Sequence, residues 1–193
     1  MTEPSPQDDA NFLDGRMLIA MPGMSDPRFV RSIVYLCAHS EDGAMGLITN
    51  KAVEDLLWKD LFKKINIPIG SVNAPRQICF GGPVDMERGF LLHSSDYFAD
   101  GATLKVDDET SMTATIEILQ DIAMGRGPDQ TMLALGYAGW SAGQLESELQ
   151  QNGWLLCDPD LSLLFGEDHD EKWDRALAKL GINPAMLGSG GHA

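Results

Sequence analysis

The sequence predicts a single α+β domain built on a mostly antiparallel curved sheet that carries helices. Three observations lead there. Strand-like runs come early and in hairpin-like pairs, residues 32–39 with 46–50 and residues 77–80 with 89–93. Helical patterns alternate with strands only later in the chain, unlike a regular doubly wound sheet. The 193 residues suit one domain, since a domain takes roughly 100–200 residues and at this size folding buries roughly 70% of the unfolded surface.

Taken in order, residues 1–11 are polar and acidic, a disordered tail without the basic start or apolar core of a secretory signal. Residues 16–20 read as a short strand, followed by a loop made irregular by Pro22, Gly23 and Pro27. Residues 32–39 and 46–50 form a hairpin around Ser40-Glu41-Asp42-Gly43. Period-two alternation places Ile33, Tyr35, Cys37 and His39 on one face and Val34, Leu36 and Ala38 on the other, so this strand is central. Val53, Leu56, Leu57, Leu61 and Ile65 recur at helical spacing and predict a helix over residues 53–65, stopped before Pro68 and Gly70. A connector spans residues 67–76.

Residues 77–80 and 89–93 read as a second hairpin with an elaborated turn that begins Gly81-Gly82-Pro83-Val84. Residues 103–106 add a short strand. Met112, Ile116, Leu119 and Ala123 form an amphipathic stripe, with Gly125 where a helix-ending glycine belongs. Residues 130–137 are a strand entering Gly136-Tyr137-Ala138-Gly139-Trp140, and residues 141–151 a helix closed by Asn152-Gly153. A last strand covers 154–158, and Trp173, Ala176, Leu177 and Leu180 mark a final helix. The organisation is a tail at 1–11, one domain over 12–187 and a flexible glycine-rich tail at 188–193.

Net charge is −15, from 14 basic and 29 acidic residues, and no block of fifty is basic. Nucleic-acid affinity comes mostly from Lys and Arg neutralising phosphates, so the charge argues against direct DNA binding. The local cluster Lys51, Lys59, Lys63 and Lys64 reads as a solvated helix face. Three cysteines at unrelated spacings, Cys37, Cys79 and Cys157, suggest reduced thiols in the cytoplasm. No apolar run approaches the ~18 residues of a membrane helix.

Several motifs together resemble one family. GRMLIAMPGM (15–24), the Cys37–His39 strand, GAMGLITN (43–50), GGPV followed by GFLLH, GYAGW (136–140), GQLESEL (143–149) and NGWLLCDPD (152–160) occur in the order and spacing of the bacterial YqgE/AlgH family. The resemblance covers roughly residues 12–187. It implies a sheet curled into a barrel-like body flanked by helices and a bacterial cytosolic protein, and it implies no reaction. One branch of that family is linked to exopolysaccharide regulation and labelled a transcriptional regulator, with no DNA-binding motif attached.

Four groups of residues could carry chemistry. Cys37 and His39, with His93 if the two hairpins pair, would make a reactive thiol if the imidazole supports a thiolate; otherwise Cys37 is a small core hydrophobe. Gly139-Trp140-Ser141-Ala142-Gly143 fits the nucleophile elbow of serine hydrolases, with Asp158 or Asp160 and His169 to follow, while Ser141 and Gln144 fit a helix capping box. His39, His93, His169 and His192 show no metal-ligand spacing, and no phosphate or dinucleotide loop is present, so neither metal nor cofactor is expected. Gly81, Gly82 and Pro83, with a backbone nest for an anion at the two glycines, and Tyr137 and Trp140 could together present a binding face, the aromatics lining a pocket or packing in the core. The leading expectation is a cytoplasmic, non-enzymatic regulatory or adaptor module that binds a protein or small ligand. The alternatives are a thiol enzyme or redox sensor at Cys37 with His39 or His93, and a serine hydrolase at Ser141.

Overall fold

The computed structural model describes residues 12–70 and 76–187; both expected tails and the middle of the 67–76 connector lie outside the described residues. The elements are β1 (Met17–Ala20), β2 (Ile33–Ser40), β3 (Gly43–Ile48), β4 (Ala52–Leu57), α1 (Trp58–Lys64), β5 (Gln77–Phe80), β6 (Val84–Ser94), β7 (Thr103–Lys105), β8 (Thr110–Thr113), α2 (Ile116–Ala123), β9 (Thr131–Ser141), α3 (Gln144–Gln150), β10 (Trp154–Cys157), α4 (Leu161–Phe165), α5 (His169–Lys179) and α6 (Pro184–Leu187). The α+β class and the curled, mostly antiparallel sheet expected from the sequence are what the chain adopts.

The sheet runs β10-β1-β2-β3-β9-β6-β8-β7, with β5 on β9 and β4 on β5. β9 is its hub. One edge takes β6; the other takes β3 at residues 138–141 and passes to β5 at Ala134 and Leu135. The β5–β9 pairing is parallel, the others antiparallel. At the handover the Gly81 N–H donates to the Leu135 carbonyl and the Gly81 carbonyl accepts from Ile48 N, both at 2.8 Å. The backbones are so close that a Cβ on Gly82 would collide with the Tyr137 carbonyl group, and one on Gly136 (φ +74) with the Gly82 oxygen. Only glycine fits such an approach.

Alternation along the strands then builds three apolar layers. One sheet face, with Met17, Ile19, Tyr35, Leu47, Phe90 and Leu92, packs against Leu163 and Leu164 of α4 and Trp173 and Leu177 of α5. Ile78, Leu91 and Leu133 pack with Trp58 and Phe62 of α1 and Ile118 and Leu119 of α2. Leu18, Val34, Leu36 and Ile48 pack with Trp140, Trp154 and Leu145 of α3. α5 is tied down by two buried donors, Trp173 Nε1 to the Ala20 carbonyl and Lys172 Nζ to the Thr49 carbonyl, each at 2.9 Å.

Four expectations need correction. The helix over 53–65 is a strand and then a helix: Ala52 and Leu57 pair with Cys79 and Gln77, so the outer edge of β5 finds backbone partners, and Asp55 at φ +56 interrupts any helix. Its apolar spacing survives only in α1. Residues 77–80 and 89–93 do not form a hairpin; β5 and β6 lie on opposite edges of β9. The helix after β9 starts at Gln144, because Ser141 still pairs with Gly43 and Gly143 turns the chain at φ +75. Met112 belongs to β8, which the helical stripe had absorbed.

Asp160 links the start of α4 to the end of α5. Its carboxylate accepts from Ser162 N at 2.9 Å and from Lys179 Nζ at 2.7 Å. The Lys179 hydrogen bond, and then that from Ser162, hold its carboxyl down at about 2. A carboxyl depressed on folding contributes stability above its unfolded value and loses it as pH falls toward 2. Asp160→Asn should therefore flatten the fall in stability between about pH 4 and pH 2, by no more than about 1 kcal/mol after solvent screening, as read from urea midpoints at each pH. In the same assay Gly82→Ala should cost about 2–3 kcal/mol through the forced shift of β9. Gly101→Ala, at φ +75 with open space around its Cβ, should cost only about 1 kcal/mol.

Candidate functional site

The expected pairing of Cys37 with His39 is broken by a β-bulge. The register moves from Leu36↔Gly46 to Ala38↔Met45, leaving Cys37 as the extra residue. The bulge inverts the alternation. Cys37 lies with Tyr35 and Leu47 in one core layer, while His39 pairs with Ala44, and Ala44 with Trp140, on the opposite face. Cys37 is 2% exposed, and burial, then the Asp14 charge, push its thiol up to about 12. It is a core residue and holds no accessible thiolate.

His39 is fully employed elsewhere. Leu13 N donates to its Nδ1 at 3.0 Å, so the ring proton sits on Nε2, which donates to Glu146 Oε1 at 2.6 Å. Its backbone N–H donates to Asp14 Oδ1 at 2.7 Å. The ring thus fastens α3 and the chain before β1 to the end of β2. His93 sits across from Thr131, far along β9 from the Val84↔Tyr137 pair. Its Nδ1 donates to the Ser94 carbonyl and its Nε2 accepts from Thr113 Oγ1, both at 2.8 Å. Burial above all lowers its pKa, and it does not join Cys37.

Among the described residues Ser141 gains no catalytic partners. Its hydroxyl donates to Gln144 Oε1 at 3.2 Å and its N–H to the same oxygen at 3.0 Å, half of the expected capping box. Asp160 is committed to Ser162 and Lys179, and His169 contacts Cys79. Among the described residues no three His, Cys, Asp or Glu side chains converge as metal ligands.

The two expected binding turns do come together. Gly81 and Gly82 pack on the backbone of residues 136–138, with Pro83 half-buried above them. Beside them opens a cleft of about 670 Å³, walled by His39, Asp42, Asp85, Phe90, Tyr137 and Trp140 among others. The Gly81 N–H is spent on Leu135, so the anion nest loses one of its two donors. The two aromatics have different duties. Tyr137 is half-buried and meets Phe90 edge-on at 5.6 Å. Trp140 is 7% exposed; its Nε1 donates to Glu148 Oε2 at 2.9 Å, and Trp154 Nε1 donates to the same oxygen at 2.8 Å. One carboxylate oxygen therefore gathers two indoles that pack edge to face at 6.1 Å.

Sequence reasoning passed over Asp14, Asp85, Arg88 and Phe90. In β6, residues 85–88 bulge outward against the single Gly136 of β9, with Asp85 at φ +48. The bulge carries Arg88 to 5.1 Å above the Phe90 ring. The only sequence signal was the length between GGPV and GFLLH. Asp14, Asp42 and Asp85 face this cleft against a single guanidinium.

The AlgH-like family model matches residues 17–185. The chain belongs to the AlgH-like family. It is 52% identical over 202 residues to a UPF0301 protein of Methylobacterium nodulans, covering 100% of this chain and 95% of that protein. A UPF0301 protein of Bradyrhizobium diazoefficiens is 50% identical over 200 residues, with 100% and 94% covered. The solution structure of AlgH from Pseudomonas aeruginosa matches with TM-score 0.73 at 38% identity over 100% of both chains. A crystal structure of a Corynebacterium diphtheriae protein shares the fold at TM-score 0.71 and 18% identity, covering 97% of this chain and 93% of that one. The resemblance read from the motifs is thus the family of the chain, and the names of these relatives assign no reaction. No helix among the described residues is long and apolar enough to cross a membrane.

Within this AlgH-like chain the Glu148 clamp holds the cleft's Trp140 wall. Glu148→Ala should leave two buried indole N–H groups without an acceptor, at about 1–3 kcal/mol each. A lowered thermal midpoint with red-shifted tryptophan emission is expected. Unchanged emission would mean that the indoles find other acceptors.

Proposed function

We propose that this AlgH-like chain is a non-enzymatic regulatory or adaptor module of the bacterial cytoplasm that takes a basic segment of a partner protein into the β6–β9 cleft. The observation that carries this reading is the pairing of carboxylates with an aromatic ring there: Asp14, Asp42 and Asp85 beside the half-buried Tyr137. A guanidinium or ammonium gains from both, by ion pairing and by lying over an aromatic face. Arg88 over Phe90 already displays that geometry within the chain. The net charge of −15 favours the same partners and would steer them at moderate salt. Duplex DNA would meet the same field as repulsion, which supports a protein-directed role for any regulation.

A Lys- and Arg-rich decapeptide titrated against the protein, followed by intrinsic fluorescence, should bind saturably, weaken with salt and lose about tenfold in affinity, or about 1.4 kcal/mol, with Asp85→Asn combined with Tyr137→Ala. Binding that the double variant leaves intact would remove this cleft as the docking face. Trp140→Ala is the poorer probe, since that indole is structural.

A further inference from the structure

A second cavity, of about 250 Å³, shares no lining residue with the cleft. It lies where the outer end of β5 meets the α4–α5 connection, and Trp58, Arg76, Cys79, Glu167 and His169 line it. Arg76 forms one side: its guanidinium stacks 4.3 Å above Trp58, donates to the Thr131 carbonyl and hydroxyl, and pairs with Glu167 at 3.4 Å. Cys79 from β5 and His169 from the first turn of α5 meet there, with Sγ 3.8 Å from Nε2. They are ninety residues apart in the chain, and the sheet alone brings them together.

Two features separate this thiol from an ordinary buried cysteine. His169 is 9% exposed and lines the cavity, with its ring held between the Cys79 sulfur and the Thr49 backbone. One turn further along α5, Lys172 is wholly buried, and its ammonium donates to the Thr49 carbonyl with no carboxylate within ion-pair distance among the described residues. A buried, unpaired cation is costly and is relieved by a negative charge nearby. Asp168 and Glu167 relieve it in part and a Cys79 thiolate would relieve it further: burial pushes that thiol up to about 11, and the charges of Lys172 and Arg76 act in the opposite direction. Burial likewise lowers the pKa of His169, so near neutral pH the pair rests as thiol and neutral imidazole.

We propose that Cys79 and His169 form a thiol–imidazole pair that a small hydroperoxide, hydrogen peroxide in the simplest case, oxidises to a sulfenic acid. His169 Nε2 takes the proton from Sγ as the sulfur attacks one peroxide oxygen. The S–O bond forms, the O–O bond breaks, and the departing oxygen takes the proton back from Nε2 and leaves as water. Sulfur loses two electrons and the peroxide gains them, so thiol and hydrogen peroxide give sulfenic acid and water. Lys172 and Arg76 offset the negative charge that develops on sulfur and on the leaving oxygen. The oxidant class follows from size. Cys79 is 1% exposed at the wall of a cavity of about 250 Å³, and so little of the sulfur is uncovered that a small hydroperoxide reaches it more readily than a bulky thiol or disulfide. Hindered access of a second thiol also lets a sulfenic acid persist.

The test exposes the native protein to low hydrogen peroxide, removes the excess with catalase, denatures in dimedone and maps adducts by peptide mass spectrometry. Cys79 should label well ahead of both Cys37, equally buried, and Cys157, which is more exposed. His169→Asn should slow labelling at least about tenfold, the low end of what a positioned general base supplies. Lys172→Met, which removes a buried charge at little cost in shape, should slow it as well. Should either variant fail to fold, the ranking of the three cysteines in the unaltered protein decides. Labelling that follows exposure, with Cys157 first, or that a folded His169→Asn leaves undiminished, overturns the proposal.

Discussion

The architecture depends on how closely β9 is approached by the chain around Gly81 and Gly82. A single strand serves β6 along one edge and, along the other, β3 and then β5 in the opposite sense. The change of neighbour is made by one residue, Gly81, which accepts from the end of β3 and donates to β9. No side chain can stand there without displacing backbone. That approach sets the Gly136 kink, the kink sets the bulge of β6 opposite it, and the bulge sets where Arg88, Phe90 and Tyr137 meet. The cleft is thus a by-product of the way the sheet solves its backbone hydrogen bonding.

Much of this was legible in the residues, and the failures share a cause. The β2–β3 hairpin shows itself through Asp42-Gly43, and the glycines at 81, 82 and 136 signal close backbone contact, because both signals are local. The residues 53–57 deceive because Val53, Leu56 and Leu57 satisfy helical spacing by coincidence, while the need of β5 for an edge partner lies twenty residues away. The bulge at Cys37 has no glycine or proline to announce it, and one extra residue was enough to separate a cysteine and a histidine that alternation places side by side. Cys79 and His169 carry no mutual signal at all, since only the placement of α5 against β5 brings them into contact.

The aromatics of GYAGW make the same point at the level of a site. Tyr137 and Trp140, three residues apart on β9, fall in different core layers. One is left half open to the cleft, the other is held by the carboxylate it shares with Trp154. An anchor for a partner and an anchor for the fold look alike in a sequence; burial of the indole N–H and the identity of its acceptor tell them apart.

The position of β1 has a consequence for synthesis. This first strand pairs on one side with β2, close by, and on the other with β10, where Met17 lies opposite Cys157. A ribosome must therefore deliver nearly the whole domain before that second edge is covered, and until then four apolar residues, Met17, Leu18, Ile19 and Ala20, stand on a strand with one edge unpaired. Such an edge is a template for pairing with another nascent chain, and long-range closure of this kind is slow. That edge is covered only once β10 has been made and docked.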